Sequence, residues 1–244
     1  MITSKNNECI KRIASLKEKK GRREQGVYLV EGIKQVREAL AGGLPVEQVV
    51  LSERYAGDPL PVPPEKQLLV SEAVFAKLSE EASPQGVLAV LRVPACTPRP
   101  PKGNSLLLDG IADPGNLGTI IRTANGAGYE DIYLKNCTDP FSPKCVRASM
   151  SGIFFVRLHA GGEQELFEAL EGVPLVCADM AGTDMELFSP PPQFCLVIGN
   201  EANGVSEAVR ARCAHTVSVP LRETCESLNA AVAAGILMYR LLKK

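Results

Sequence analysis

The second half of this chain alternates short, almost wholly apolar runs with stretches of helical periodicity, and no other feature restricts its fold as much. SLLLDGI (105–111), DIYLKN (131–136), FVRLHA (155–160), PLVCADM (174–180), FCLVIGN (194–200) and HTVSVP (215–220) read as strands. Helical patterns fall around 116–126, 143–151, 164–171, 206–213 and 227–242. Strands apolar on both faces must be covered on both faces, so the alternation predicts an α/β fold with a mostly parallel sheet flanked by helices. Ligands of such sheets bind beyond the carboxyl ends of the strands, where this sequence places its Gly-rich turns.

Four prolines crowd VPACTPRPPKGN (93–104), a stretch in which helix cannot persist. Residues 94–104 are therefore expected to link a first domain, 1–93, to a second, 105–244. The first reads as a basic helix, then strand GVYLVEG, helix IKQVREALAGG, strand VEQVVLSE, helix SEAVFAKLSEE and strand QGVLAVLRV. With 244 residues, 45% of them hydrophobic, the chain can bury one or two cores. No run approaches the roughly 18 apolar residues of a membrane span, and the first residues have no apolar signal core; a cytoplasmic protein without membrane partners is expected. Eight cysteines occur without a CxxC pair and with only two histidines, which predicts reduced thiols and no metal.

A net charge of −1 argues against a uniformly basic nucleic-acid binder, but the charge is lopsided. Residues 1–25 hold eight Lys or Arg against three Glu. Such an arm neutralises phosphates and suits an RNA partner, with Lys11, Arg12, Lys19, Lys20, Arg22 and Arg23 as candidate contacts. A solvated helix face explains the same charges.

Three strand-to-helix turns stand out. LLLDGIADPGNLGTIIRTANGAG (106–128) has Gly115 and Gly118 three apart. It lacks the G-x-G-x-x-G of a dinucleotide site and the Gly-Lys of a phosphate loop. It offers Asn116 in the first turn of a helix and Arg122 less than two turns further on. LVIGNEANGVSEAV (196–209) runs a strand into Gly199, Asn200, Glu201, Asn203 and Gly204, then a helix starting at Ser206. Glycine at 199 permits close backbone approach. VSVPLRETCESLNAAVAAGILMYRLL (217–242) offers Ser227 as a helix N-cap and Asn229 in the first turn of an Ala- and Gly-rich helix.

The ordered trio NLGTIIR (116–122), LVIGNEANG (196–204) and SLNAAVAAG (227–235) resembles the three motifs of the SpoU branch of the SPOUT RNA methyltransferases. The first domain is similar, more weakly, to the small substrate-binding domain of bacterial ribosomal RNA ribose methyltransferases of that family. The resemblance implies S-adenosylmethionine as methyl donor, transfer to a ribose 2′-oxygen, a homodimer through the second domain, a C-terminal trefoil knot and an N-terminal α/β sandwich. Residue by residue, it implies that Ile198, Gly199, Asn200, Val219, Pro220, Leu221, Ser227 and Leu228 line the cofactor. Asn116, Arg122, Glu201, Ser227 and Asn229 would surround the methyl group and the ribose. SPKCVRASMSG (142–152) also looks like a family segment, with Arg147 a candidate RNA contact. VPLRETCESLN departs from the pattern, which usually has Met and Gly near Leu221 to Glu223.

A sulfonium methyl is already electrophilic, so the enzyme's task is alignment and assistance to loss of the hydroxyl proton. The family's proposed base is Arg122. Deprotonating an arginine at pH 7 costs about 7 to 9 kcal/mol, so an electrostatic role on phosphate and developing alkoxide is the plainer one. Ribosomal RNA, of the large subunit, is the expected substrate, because enzymes of this class that act on transfer RNA often carry terminal extensions instead of the small domain. Transfer RNA, and a non-catalytic RNA-binding protein of the same fold, are the alternatives.

Overall fold

A computed structural model describes residues 1–242. The chain divides into two compact units: Met1–Pro94 with Phe141–Phe154, and Ala95–Pro140 with everything described from Phe155 onward.

The first unit opens with α1 (Glu8–Ala14) and α2 (Lys19–Gln25), separated by a 3-10 turn at Ser15–Lys17. The sequence suggested one basic helix; the break at extended Glu18 instead lets Ile10, Ile13 and Leu16 all enter the core. Then come β1 (Val27–Glu31), α3 (Ile33–Ala41), β2 (Val46–Ser52), β3 (Gln67–Val70), α4 (Glu72–Leu78) and β4 (Val87–Arg92). The sheet order is β1-β4-β2-β3, with β4 antiparallel to both β1 and β2, and β3 parallel to β2 at the edge. Four-residue β3 was not read from the sequence, which gives it one short apolar run after a Pro-rich stretch. Both faces of β1 are buried, which requires the helices on both sides that make this a small α/β sandwich.

The second unit contains β5 (Ser105–Asp109), α5 (Pro114–Ala127) and β6 (Asp131–Lys135). The chain passes through α6 (Pro143–Ser149), which groups with the first unit, and then forms β7 (Arg157–Ala160), α7 (Glu163–Ala169), β8 (Leu175–Asp184), β9 (Cys195–Gly199), α8 (Glu207–Arg210), β10 (His215–Ser218) and α9 (Ala230–Arg240). All six strands read from the sequence are present, in the order β10-β8-β9-β5-β6-β7, and every pairing is parallel. The chain winds outward from β5 to β7, returns to β8, and inserts β9 between β8 and β5. The order thus reverses between β5 and β9, and the crevice at their carboxyl ends is where a parallel sheet takes its ligand.

The pairing of β10 with β8 jumps from Cys177 to Thr183 between Thr216 and Val217, so residues 178–182 leave the ladder. Gly182 permits this: a Cβ there would lie 2.6 Å from the Val217 nitrogen. The Pro-rich segment before β5 is strapped to the far end of the sheet. Buried Asp131 accepts from the Lys102 N–H at 2.9 Å, Tyr133 Oη donates to the Arg99 carbonyl at 2.6 Å, and His159 bridges Thr97 O and Asp131.

Candidate active site

Three turns converge at the β5/β9 crevice. Asp113 caps α5, its Oδ1 accepting from Asn116 N–H at 2.9 Å, with Pro114 preset in the first helical position. This fixes Asn116 at the helix mouth, with its amide turned toward the other two turns. Its Nδ2 donates to Glu201 Oε1 at 2.6 Å, and its Oδ1 accepts from Asn229 Nδ2 at 3.0 Å. Asn229 is itself the N-cap of α9, its Oδ1 accepting from Ala231 and Val232 N–H at 2.9 and 3.3 Å. Ser227, read as that cap, stands two residues too early; it is exposed and lies in the loop before the helix.

The middle turn is set by Gly199 and Asn200. A Cβ on Gly199 would lie 2.3 Å from the Gly204 carbonyl carbon and the Val205 nitrogen, so only glycine lets the turn fold back this closely. Asn200 exchanges backbone hydrogen bonds with Gly204, and its side chain accepts from Ala202 and Asn203 N–H while donating to Gly110 O at 2.8 Å. Glu201 is thereby presented at the tip of a rigid turn.

Beside these residues an apolar cleft of about 130 Å³ is lined by Ala178, Asp179, Met180, Val217, Val219, Leu221, Ser227, Leu228, Ala233 and Leu237. Val219, Leu221, Ser227 and Leu228 were named from the sequence. Of the other four residues assigned to the cofactor, Pro220 is exposed outside the lining, Ile198 is buried within the sheet, and Gly199 and Asn200 build the neighbouring turn. The sequence reading missed Ala178, Asp179 and Met180, because PLVCADM looks like an ordinary strand and the jump in its pairing is a tertiary event. Asp179 is fixed there by the Ala181 N–H and by Arg210 at 2.5 Å, bonds that hold its carboxyl below the usual range. The loop opposite makes no backbone–backbone hydrogen bond to a described residue at 219–221 or 226–228, and within it the Ser227 carbonyl accepts from the Cys225 thiol at 3.4 Å.

Arg122 does not join this group. Six residues beyond Asn116, it lies about 120° around the helix and about 9 Å along it, exposed and without a hydrogen bond or ion pair to any described residue. Of the basic residues, Arg12, Lys19 and Arg23 are exposed, Lys11 pairs with Glu8 and Lys20 with Glu24, and Arg147 is exposed on α6. Arg22 corrects the expectation: it is 5% exposed, and its Nη1 donates at 2.7 Å to the carbonyls of Leu16 and Lys17, which the break after α1 leaves without helical partners. It is part of the fold, not of an RNA surface. Among the described residues no three His, Cys, Asp or Glu cluster as metal ligands, and no helix is long and apolar enough to cross a membrane.

A parallel sheet whose switch-point crevice holds a linked Asn–Glu–Asn set beside an apolar, backbone-rich cleft defines an α/β protein built to bind and orient a small ligand. Residues 103–239 match the model of the SpoU rRNA methylase family, and residues 7–89 match an MRM3-like substrate-binding domain. The chain belongs to the SpoU rRNA methylase family. It is 34% identical to the 23S rRNA (guanosine(2553)-2'-O)-methyltransferase RlmP of Bacillus subtilis, with 98% of each chain covered. It is 30% identical to the 23S rRNA (uridine(2479)-2'-O)-methyltransferase of Streptomyces viridochromogenes, covering 100% of this chain and 92% of that one. Among solved structures, the SpoU methyltransferase AviRb from Streptomyces viridochromogenes in complex with AdoMet matches with a TM-score of 0.88 at 28% identity, covering 97% of both chains.

Proposed function

We propose that this protein transfers a methyl group from S-adenosylmethionine to a ribose 2′-oxygen of large-subunit ribosomal RNA. The observation that carries the reading is the hydrogen-bonded union of Asn116, Glu201 and Asn229 from three separate turns beside the apolar cleft. The cleft suits the cofactor: Val217, Val219, Leu221, Leu228 and Leu237 offer walls for a purine, and the backbone of 219–221 and 226–228, which makes no backbone–backbone hydrogen bond to a described residue, offers partners for its ring nitrogens. Bound there, S-adenosylmethionine supplies an electrophilic methyl group. Asn116, Glu201 and Asn229, locked to one another, hold the ribose in line with it, and Ser227 stands at the border between cleft and polar set. Arg122, exposed and cationic, takes a phosphate of the RNA and stabilises negative charge as the hydroxyl loses its proton.

In this reading residues 1–93 form the RNA-binding domain, 94–104 the connection and 105–244 the methyltransferase domain of a cytoplasmic enzyme. The C-terminal segment is read as a trefoil knot: after edge strand β10 the chain returns across the carboxyl ends of β8 and β9 so that α9 packs on α5. The enzyme is a homodimer through this domain, with Val232 and Tyr239 of α9, 50% and 56% exposed and seven residues apart, on the contact face. The two named relatives act on guanosine and on uridine, so this family's shared site recognises the ribose, and the choice of base lies elsewhere.

The test offers labelled cofactor with ribosomal RNA and transfer RNA side by side. Label is expected in the ribosomal RNA alone; label in transfer RNA alone would move the reading to that substrate. Arg122→Ala is expected to keep cofactor affinity and lose about 10²-fold or more in transfer, the scale of removing one electrostatic partner from a transition state. Near-full transfer by that variant would remove Arg122 from the account.

A further inference from the structure

A buried ion pair, Asp109 with Lys135, lies under the turn that carries Asn200 and Glu201, and the reaction described above makes no use of it. The two residues end neighbouring strands, Asp109 standing in register with Lys135 of β6 on one side and Gly199 of β9 on the other. Their side chains are 5% and 8% exposed, with Nζ 3.1 Å from Oδ1. The second Asp109 oxygen accepts from Ser206 N–H at 2.8 Å. Lys135 also reaches Ser206 Oγ at 3.2 Å and Glu163 at 3.1 Å. The far end of the same turn is tied by Asn200 to Gly110 O. Both ends are therefore pinned to β5 and its continuation, with Glu201 held between the pins.

Burial pushes the Asp109 carboxyl up, but the bonds from Ser206 and Lys135 outweigh it and bring it below its ordinary value. Burial likewise pushes Lys135 down, and Asp109 and Glu163 bring it above its ordinary value. Both groups are charged at neutral pH. A buried ion pair is a poor source of stability, since apolar side chains of similar volume often serve as well or better. What apolar groups lack is a direction: only an acceptor at Asp109 holds the Ser206 N–H.

We propose that Asp109 and Lys135 are positioning residues for methyl transfer, fixing Ser206 so that Glu201 stays within hydrogen-bonding distance of Asn116. The proposal rests on the reading of the site as a ribose methyltransferase. Neither residue lines the cofactor cleft, so their loss acts on alignment and not on cofactor binding. A misplacement of about 1 Å at a reacting centre costs on the order of 10²-fold in rate.

The test replaces the pair with apolar side chains, Asp109→Leu with Lys135→Met, in the full-length protein. The double variant is expected to melt no lower than the parent and to bind S-adenosylmethionine with unchanged affinity, while kcat falls by about 10²-fold and KM for RNA holds. A double variant with parental kcat would overturn the proposal. Should it fail to fold, Asp109→Asn, nearly the same shape, carries the test: its one acceptor oxygen serves two donors, the charged Lys135 takes it and the NH2 is left against the Ser206 N–H, so kcat falls, and parental kcat again overturns the idea. Amide hydrogen exchange gives a readout independent of activity. Exchange across residues 200–206 quickens in Asp109→Asn; unchanged exchange contradicts the positioning role even if the parent proves inactive, in which case it is the assigned reaction that has failed.

Discussion

Arg22 and its neighbours show how a run of like charges separates into different roles. Lys19 and Arg23 are exposed on the short helix where Arg22 is buried, and a step of one residue, about 100° around the helix, decides which guanidinium meets solvent. Charge counting made the first twenty-five residues a candidate RNA surface but could not single out Arg22, because the break at Ser15–Lys17 that claims it follows from core packing. Replacing Lys19 and Arg23 by Ala is expected to flatten the salt dependence of RNA binding, by about one in slope for each phosphate left unneutralised, with the melting temperature unchanged. Arg22→Ala is expected to do the reverse, lowering stability by about 1 to 3 kcal/mol through two stranded carbonyls, as a denaturant titration would read. At the candidate site, Asn116 donates to Glu201 and accepts from Asn229, which an amide does from two separate atoms and an ionised carboxylate cannot. Asn116→Asp sets two carboxylates 2.6 Å apart. Its transfer rate at pH 7.5 is expected to fall at least about tenfold and to recover in part when Glu201→Gln is added. No recovery would mean that the two side chains do not act as a pair.

Among the elements, the strands were the most legible, since apolar runs ended by glycine leave little choice, and all six of the second unit lie where they were read. Helix starts were less so: α9 begins at Ala230 because Asn229, not Ser227, has its side chain over the first free N–H groups. Two charged residues that close apolar strands, Asp109 and Lys135, were a signal that went unread; a charge at the end of LLLD and of DIYLK is where a parallel sheet meets its ligand side. The Pro-rich segment looked like free linker, yet Asp131 anchors it. Burial pushes that carboxyl up, but Arg157, His159 and the Lys102 N–H outweigh burial and pull it down to about 2. A depressed carboxylate contributes stability above its unfolded value of 3.8, here on the order of 2 kcal/mol, and loses it as pH falls from about 4 through 2. Asp131→Asn is therefore expected to be less stable than the parent at pH 6, with the gap shrinking to about a third at pH 2.5, by thermal melts at both. An equal gap at the two pH values would mean that the carboxylate's charge plays no part in the anchor.

At the scale of the molecule, the parallel sheet followed from pattern alone, whereas the knot and the dimer are proposals that rest on family likeness. Local patterning carries no information on which side a returning chain passes, and an apolar helix face does not reveal what covers it. Light scattering at micromolar concentration is expected to give twice the chain mass, and Tyr239→Asp on the exposed face of α9 is expected to shift it toward the monomer; a parent that is monomeric throughout would refute the dimer. The central claim is the atom that receives the methyl group. Ribosomal RNA from a strain lacking the gene, incubated with the purified protein and labelled S-adenosylmethionine and then digested to nucleosides, can be read by mass spectrometry. The account predicts one 2′-O-methyl nucleoside, in the large-subunit RNA. A methylated base, or no transfer while the cofactor is bound, would contradict it.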